Sequence, residues 1–374
     1  MKVLFIFGTR PEAIKLSPVL LQMRERPAEF SVRVCVTGQH RGMLDQVLTA
    51  FGVAPDRDLD VMRPSQTLSE TTARILLQLE PVLRDERPDI VIVQGDTTTT
   101  LGAALAAFYQ RIPVGHVEAG LRTGDMAQPF PEEMNRVVAG RLATLHFAPT
   151  PLAIERLAEE GVPRDCIFLT GNSGVDAVLF VRDALQSGSI AAPSWPWLDP
   201  ARKLIVVTAH RRESFGEGME RICAALERIA RRRDVQIAYP VHRNPNVAIP
   251  VRRLLEHKPG IVLLDPLDYV PFVDLMRRSC LLLTDSGGIQ EEGPSLGKPV
   301  LVMREKTERP EAVKAGTVRL VGTAEDVIVR ETARLLDDEG ECERMSRVHT
   351  PYGDGSASRR IADAIAAFSA ARRG

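Results

Sequence analysis

The sequence predicts an α/β protein made of two doubly wound parallel-sheet domains, and three observations carry that expectation. Short apolar runs of β type recur along the 374 residues, and an amphipathic helical stretch follows most of them. The runs are apolar throughout rather than alternating, as strands are when helices cover both faces of a parallel sheet. The pattern stops once, at 188–200, which holds Ser-Gly-Ser, Ala-Ala-Pro and both tryptophans, and then restarts. A chain of this length is expected to form two cores rather than one.

Residues 3–7 read as the first strand, and Pro11 suits the first turn of the helix after it. Residues 31–37 form the next strand, with a helix near 43–51. Residues 90–94 lead into a helix over 97–109, and 112–117 make the strand that follows. A short strand at 146–148 precedes a helix over 152–160 and a strand at 167–170. The stretch 188–200 reads as a linker. Beyond it come strands at 203–208, 235–240, 261–264, 281–284 and 299–303. Pro351-Tyr352-Gly353-Asp354-Gly355 is a turn, and 357–368 is an Ala-rich helix. The expected division is an N-terminal domain over 1–175, with the helix at 357–374 packing back on it, and a second domain over 176–356.

Composition narrows the function. A formal net charge of −1 gives no electrostatic case for nucleic acid or an anionic membrane. No apolar run is long enough to span a bilayer, and no signal peptide precedes the first strand. Cys35, Cys166, Cys223, Cys280 and Cys342 are scattered, without zinc spacing, and read as reduced residues of a cytoplasmic protein. Neither a metal nor a redox cofactor is expected. Gly8-Thr9-Arg10-Pro11 lacks the dinucleotide fingerprint, and Gly293–Lys298 precedes a strand instead of opening a helix, so it is no P-loop. His40, His146, His257 and His349 read as surface or core histidines.

Ligands of open parallel sheets bind beyond the C-terminal ends of the strands, and polar residues collect there. The first strand ends in Gly8-Thr9-Arg10, with Lys15 in the next helix; others end in Gln94-Gly95-Asp96 and His116-Val117-Glu118. In the second half the ends are Thr208-Ala209-His210-Arg211-Arg212, His242-Arg243-Asn244 and Asp285-Ser286. One strand-end acid is an ordinary helix cap; ionisable groups at so many ends point to function. Asp285-Ser286-Gly287-Gly288-Ile289-Gln290-Glu291-Glu292 says most. Two glycines before a helix let a phosphate approach free N–H groups, and Glu292 lies where a carboxylate reaches sugar hydroxyls. An ordinary turn between strand and helix would carry similar letters, but the rest of the chain favours a nucleotide with a ribose. The long connection from Glu118 past Pro129 and Pro131 to Glu132 and Arg136 reads as a functional loop. Asp96, Glu118 and Glu132 are candidates to surround one substrate, since crowded carboxylates push one proton affinity up, as a general acid requires. Arg136 and Arg141 balance that charge.

These motifs resemble the non-hydrolysing UDP-N-acetylglucosamine 2-epimerases. The stretches that carry the resemblance run from Phe7-Gly8-Thr9-Arg10-Pro11-Glu12 through Gly95-Asp96-Thr97 and His116-Val117-Glu118-Ala119-Gly120-Leu121-Arg122. They continue through Pro131-Glu132-Glu133, Thr208-Ala209-His210-Arg211-Arg212-Glu213, Thr284 to Glu292, and Thr307-Glu308-Arg309-Pro310-Glu311. The resemblance implies a GT-B-like fold with the active site in the cleft between the two domains, a homodimer, and no cofactor. It implies an isomerase that interconverts UDP-N-acetylglucosamine and UDP-N-acetylmannosamine for cell-surface polysaccharide synthesis, by eliminating UDP to a 2-acetamidoglucal and adding it back. Carried over by motif, Asp96, Glu118, Glu132 and His210 form the catalytic set. Arg10, His210, Ser286, Gly287 and Gly288 would hold the diphosphate, Glu292 the ribose, and Phe272 would line the uracil pocket. Lys15 and Arg309 would add charge or sugar contacts. Gly42 and Ser65 depart from the pattern; in some members these positions belong to a second, activating substrate site. Two other readings stay open: a GT-B glycosyltransferase, which needs an acceptor pocket and one base, and a nucleotide-sugar sensor without catalysis. Three carboxylates suit neither.

Overall fold

The computed structural model describes residues 1–39, 41–307, 309–347 and 351–372; His40, Glu308 and His349 lie outside them. Among the described residues every strand pair is parallel. The first sheet holds β1 (Lys2–Phe7), β2 (Ser31–Val36), β3 (Arg57–Asp58), β4 (Ile90–Gln94), β5 (Val114–Val117), β6 (Leu145–Ala148) and β7 (Ile167–Leu169), in the order β3-β2-β1-β4-β5-β6-β7. The second holds β8 (Lys203–Thr208), β9 (Val235–Pro240), β10 (Ile261–Leu264), β11 (Leu281–Thr284), β12 (Val300–Val302) and β13 (Val318–Leu320), in the order β10-β9-β8-β11-β12-β13. Each sheet grows outward from its first strand, then returns to that strand's other side. The order therefore reverses between β1 and β4 and again between β8 and β11. Such a reversal opens a crevice at the strand ends, because the flanking connections leave on opposite faces.

The chain divides into two compact units, 1–177 with 352–374, and 178–351. In the first, Leu4, Ile6, Val91 and Val93 are fully buried against Ile75, Leu79, Ala103 and Ala107. In the second, Ile205, Val207, Ile237 and Leu283 pack against Met219, Ile222, Leu226 and Val251. Burying each of the larger side chains is worth about 1.5–3 kcal/mol. The helix Ala357–Ala371 belongs to the first unit, where its first turn is capped by Asp176: Ala357 N–H (3.2 Å) and Ser358 N–H (2.8 Å) donate to that carboxylate. Farther along, Asp363 pairs with Arg26 at 2.6 Å.

Several elements differ from the sequence reading. The strand expected from 112 begins at Val114, since Pro113 has no N–H for a ladder. The short edge strand β3, the helix Leu68–Glu86 and β13 were not anticipated. The stretch 188–200 is not a separate linker. The units divide earlier, inside the helix Ser173–Ser187, and 188–200 belongs to the second unit. Its indoles explain why: Trp195 donates to buried Asp274 at 2.7 Å and meets Trp197 edge-on at 5.7 Å. Large rings of this kind bury area and seek a partner for their N–H.

Candidate functional site

Both reversal points carry chemistry. At the first, Gly8 follows β1 and the helix Arg10–Arg24 begins, with Thr9 at its N-cap and Glu12 at the capping-box spacing. Glu12 is buried and accepts from the N–H groups of Gly8 (3.0 Å) and Thr9 (2.7 Å) and from the Thr97 hydroxyl (2.7 Å). One carboxylate thus ties the end of β1 to the loop after β4. Burial pushes its pKa up, against those hydrogen bonds. This anchoring places Arg10 in the first helical turn and Lys15 farther along the same helix. Lys15 Nζ contacts Glu118 Oε1 at 2.5 Å.

Glu118 follows β5 with a left-handed backbone, φ +63°. That conformation costs a non-glycine residue about 1–3 kcal/mol and persists only where surroundings enforce it. Lys15, Gln94 and Asn172 supply the enforcement, each donating to the Glu118 carboxylate. Asp96 stands nearby, after β4. Burial raises its pKa, the Arg136 and Lys15 charges oppose that, and the Glu118 charge adds to it. Asn135 donates to the Asp96 carbonyl at 2.9 Å, and Arg136 donates to its carboxylate. His116, buried on β5, donates through Nε2 to the Gly95 carbonyl at 2.7 Å, which fixes the residue before Asp96. Burial lowers the His116 pKa to about 4, so its ring is neutral.

Glu132 opens the helix Glu132–Leu142, one turn ahead of Arg136, and is half-buried. The structure therefore brings Lys15, Asp96 and Glu118 together directly and relates Glu132 to them through its helix. The sequence reading named Glu133 only within a motif. It is buried, and its Oε1 accepts from the N–H groups of Thr123 (2.9 Å) and Gly124 (3.0 Å). The capping-box spacing Thr9 to Glu12 was a legible signal for Glu12; Glu133 offered none beyond its charge.

At the second reversal point β8 ends before His210 and β11 before Asp285. Asp285 is fully buried; its Oδ2 accepts from the N–H groups of His210 and Arg211, both at 2.7 Å, and its Oδ1 lies 3.4 Å from His210 Nδ1. Asp285, which the sequence reading placed in the motif without a role of its own, thus fixes the His210 backbone and sets a carboxylate beside its ring. Burial lowers the His210 pKa, with Asp285 opposing. The ring of His242, from the end of β9, stacks on that of His210 with centroids 5.3 Å apart.

Ser286, Gly287 and Gly288 lead into the helix Ile289–Ser295. Gly288 has helical φ −62°, and neither glycine adopts a positive φ. A Cβ on Gly287 would meet nothing closer than Arg211 Nη2 at 3.8 Å, and one on Gly288 nothing closer than Glu292 Oε1 at 4.0 Å. Neither backbone conformation nor packing explains two glycines here; open space beside helix-terminal N–H groups does. Glu292 lies half-buried in the first turn, while Glu291, buried, pairs with Arg309. Thr307 donates to Gln290 at 2.6 Å and accepts from Arg309 N–H at 3.0 Å, holding the Arg309 segment against the helix. Phe272 is half-buried on the helix Tyr269–Arg278, which leads from β10 across to β11. Among the described residues no group of three or more His, Cys, Asp or Glu is placed to hold a metal ion, and no helix is long and apolar enough to cross a membrane. His146 is buried and His257 exposed.

Comparison with known proteins shows the family and the fold. Residues 22–366 match the family model described as UDP-N-acetylglucosamine 2-epimerase. A UDP-N-acetylglucosamine 2-epimerase of Escherichia coli is 58% identical over 370 residues, covering 98% of each chain. The crystal structure of UDP-GlcNAc 2-epimerase from Neisseria meningitidis bound to UDP-GlcNAc superposes with TM-score 0.90 at 46% identity, covering 98% of this chain and 99% of that one. The glycosyltransferase SnogD from Streptomyces nogalater, at 17% identity and TM-score 0.61 over 100% of this chain and 99% of its own, shares the fold alone. The two parallel-sheet domains are of the GT-B-like kind.

Proposed function

The chain belongs to the UDP-N-acetylglucosamine 2-epimerase family and is an isomerase, and from that premise we propose that it interconverts UDP-N-acetylglucosamine and UDP-N-acetylmannosamine by eliminating UDP and adding it back. The observation that carries the reading is the group at the first reversal point, Asp96 and Glu118 gathered around Lys15, with Glu132 on the helix that holds Asp96.

The proton on carbon 2 of the sugar adjoins no carbonyl and is not acidic. Departure of UDP builds positive charge at carbon 1, which makes that neighbouring proton labile. Loss of the proton and of UDP leaves a 2-acetamidoglucal. Protonation of carbon 2 on the opposite face and return of the diphosphate oxygen to carbon 1 complete inversion. Arg10, His210 and the N–H groups around Ser286, Gly287 and Gly288 stabilise the departing diphosphate, the kind of interaction that usually contributes most. Glu292 takes the ribose hydroxyls, Phe272 packs near uracil, and Arg309 braces the helix through Glu291. Asp96 and Glu132 move the proton, one for each face, and Glu118 supports them, held by Lys15. Each acid–base step is worth about 10²–10⁴ in rate.

Incubation with UDP-N-acetylglucosamine in deuterated buffer, followed by proton and phosphorus NMR, tests this. A new manno sugar, deuterated at carbon 2 and still joined to UDP, is expected. Free UDP accumulating with free sugar, or binding without turnover, would overturn it.

We further propose a cytoplasmic homodimer that supplies cell-surface polysaccharide synthesis. All five cysteines are free, as in a reducing compartment. Leu77 and Tyr109 are each 71% exposed. They line a cavity of about 380 Å³ that shares Leu76 with a second one, of about 480 Å³, lined by Leu68 and Phe130. A second copy covering this apolar face accounts for its exposure. Sedimentation should give twice the chain mass, and the Leu77→Asp, Tyr109→Asp double variant the single mass.

A further inference from the structure

We propose that Arg136 is a positioning residue for the reaction: it sets a positive charge against the Asp96 carboxyl and aims it, and through Glu133 it ties that carboxyl to the loop 118–131. This rests on the reading of Asp96 as a proton-moving group.

The geometry is a relay. Arg136 Nη2 donates to Asp96 Oδ2, and Nη1 lies 3.2 Å from Glu133 Oε2. Glu133 Oε1 in turn holds the N–H groups of Thr123 and Gly124 at 2.9 and 3.0 Å. One residue before Arg136, Asn135 donates to the Asp96 carbonyl at 2.9 Å, so the same helical turn grips Asp96 by backbone and side chain. Glu132 opens that turn. The two groups proposed to move protons are thereby fixed relative to one another by a single rigid element. Arg136 is only 13% exposed at its side chain, and the Glu133 side chain only 2%.

The charges facing Asp96 single out Arg136. Lys15, from the helix Arg10–Arg24, is engaged with Glu118 at 2.5 Å. Glu118, after β5, is a like charge and disfavours a second carboxylate. Glu12 reaches the adjacent Thr97 hydroxyl, and His116, neutral, reaches the Gly95 carbonyl. Arg136 donates directly to Asp96 and, with the Lys15 charge, acts against both burial and Glu118. A planar fork suits this arrangement, because one nitrogen donates to Asp96 while the other stays in ion-pair range of Glu133; an ammonium on a flexible stem reaches one acid well.

The experiment follows Arg136→Gln and Arg136→Lys in the full-length protein. One readout is the Asp96 carboxyl titration by carbon NMR of labelled protein, assigned with Asp96→Asn. The other is the pH profile of carbon-2 proton exchange. In Arg136→Gln the Asp96 titration and the acid limb of the exchange profile should both move up, by about one pH unit or more, with activity partly recovered at high pH. Arg136→Lys should keep the titration near its parent position yet slow exchange at least tenfold. An Asp96 titration identical in parent and Arg136→Gln would overturn the proposal. Should Arg136→Gln fail to fold, an unslowed exchange in Arg136→Lys does so instead. Failure of the underlying reading looks different: Asp96→Asn retains full exchange while the Asp96 titration still moves in Arg136→Gln.

Discussion

A glycine is informative only once its cause is known, and this chain offers two contrasting cases. Gly120 has φ +89°, and a Cβ there would collide with the Ala153 backbone carbonyl. Gly287 has ordinary φ, and a Cβ there would touch nothing closer than 3.8 Å. Gly120→Ala should therefore destabilise by roughly 2 kcal/mol or more, through strain at a special backbone position. Gly287→Ala should leave chemical denaturation unchanged within about 0.5 kcal/mol and raise KM for the UDP-sugar at least tenfold, because the added methyl occupies the space reserved for phosphate. A Gly287→Ala variant that unfolds early, or binds normally, contradicts this account. Both glycines lay in motifs visible in the sequence, yet their reasons were not. The same holds for the acids. Asp96, Glu118 and Asp285 were all legible at the ends of apolar runs, yet Asp285, like Glu133, is buried and holds two backbone N–H groups. Which acid meets substrate and which holds up the backbone depends on distances that no letter records.

At the scale of elements, buried polar side chains make stability depend on pH. His116 on β5 and His146 on β6 are paired in register, and burial lowers the pKa of each to about 4. The unfolded chain protonates each near 6.5. Between those values the unfolded state binds more protons, so stability rises with pH across the window. The contribution is complete above about 6.5 and is lost as pH falls towards 4, about 3 kcal/mol per ring over the whole interval. Comparing denaturation at several pH values for the parent and His146→Leu isolates one ring: the variant's slope should be shallower by one proton, whatever its absolute stability. Equal slopes would show that His146 is not buried neutral. The C-terminal helix offers a second case. Asp176 caps Ala357–Ala371, while burial raises its pKa, so its charge is a cost and its acceptor oxygens a benefit. Asp176→Ala should cost about 1–2 kcal/mol and speed hydrogen exchange in that helix, and Asp176→Asn should recover only part of that, since one of the two accepting oxygens becomes an NH2 facing an N–H donor. Strands with continuous apolar runs were legible, and so was that Ala-rich helix. The edge strand Arg57–Asp58 was not, because two exposed polar residues pair only since β2 lies beside them. Residues 188–200 have the letters of a linker and the indoles of a packed segment, and packing prevailed.

For the whole molecule, the two sheets repeat one topology and carry different chemistry at matching places. The reversal between β1 and β4 holds carboxylates and Lys15; that between β8 and β11 holds His210 and the open helix start. In the proposed reaction the first set acts on the sugar ring and the second on the diphosphate. This division makes the functions separable by mutation. Asp96→Asn removes a charge from the first set and leaves His210, Asp285 and Gly287 untouched, so calorimetry should find UDP affinity within about threefold of the parent. Gly287→Ala leaves the carboxylates intact and should weaken UDP at least tenfold, about 1.4 kcal/mol. Sites that share no partners combine additively. The double variant should therefore bind UDP like Gly287→Ala alone. A large loss of UDP affinity in Asp96→Asn would mean that the carboxylate set participates in nucleotide binding, and the proposed separation of the proton-moving carboxylates from the diphosphate-holding groups would fall. Its retention, with exchange at carbon 2 abolished, would show that nucleotide binding and proton movement rest on distinct groups.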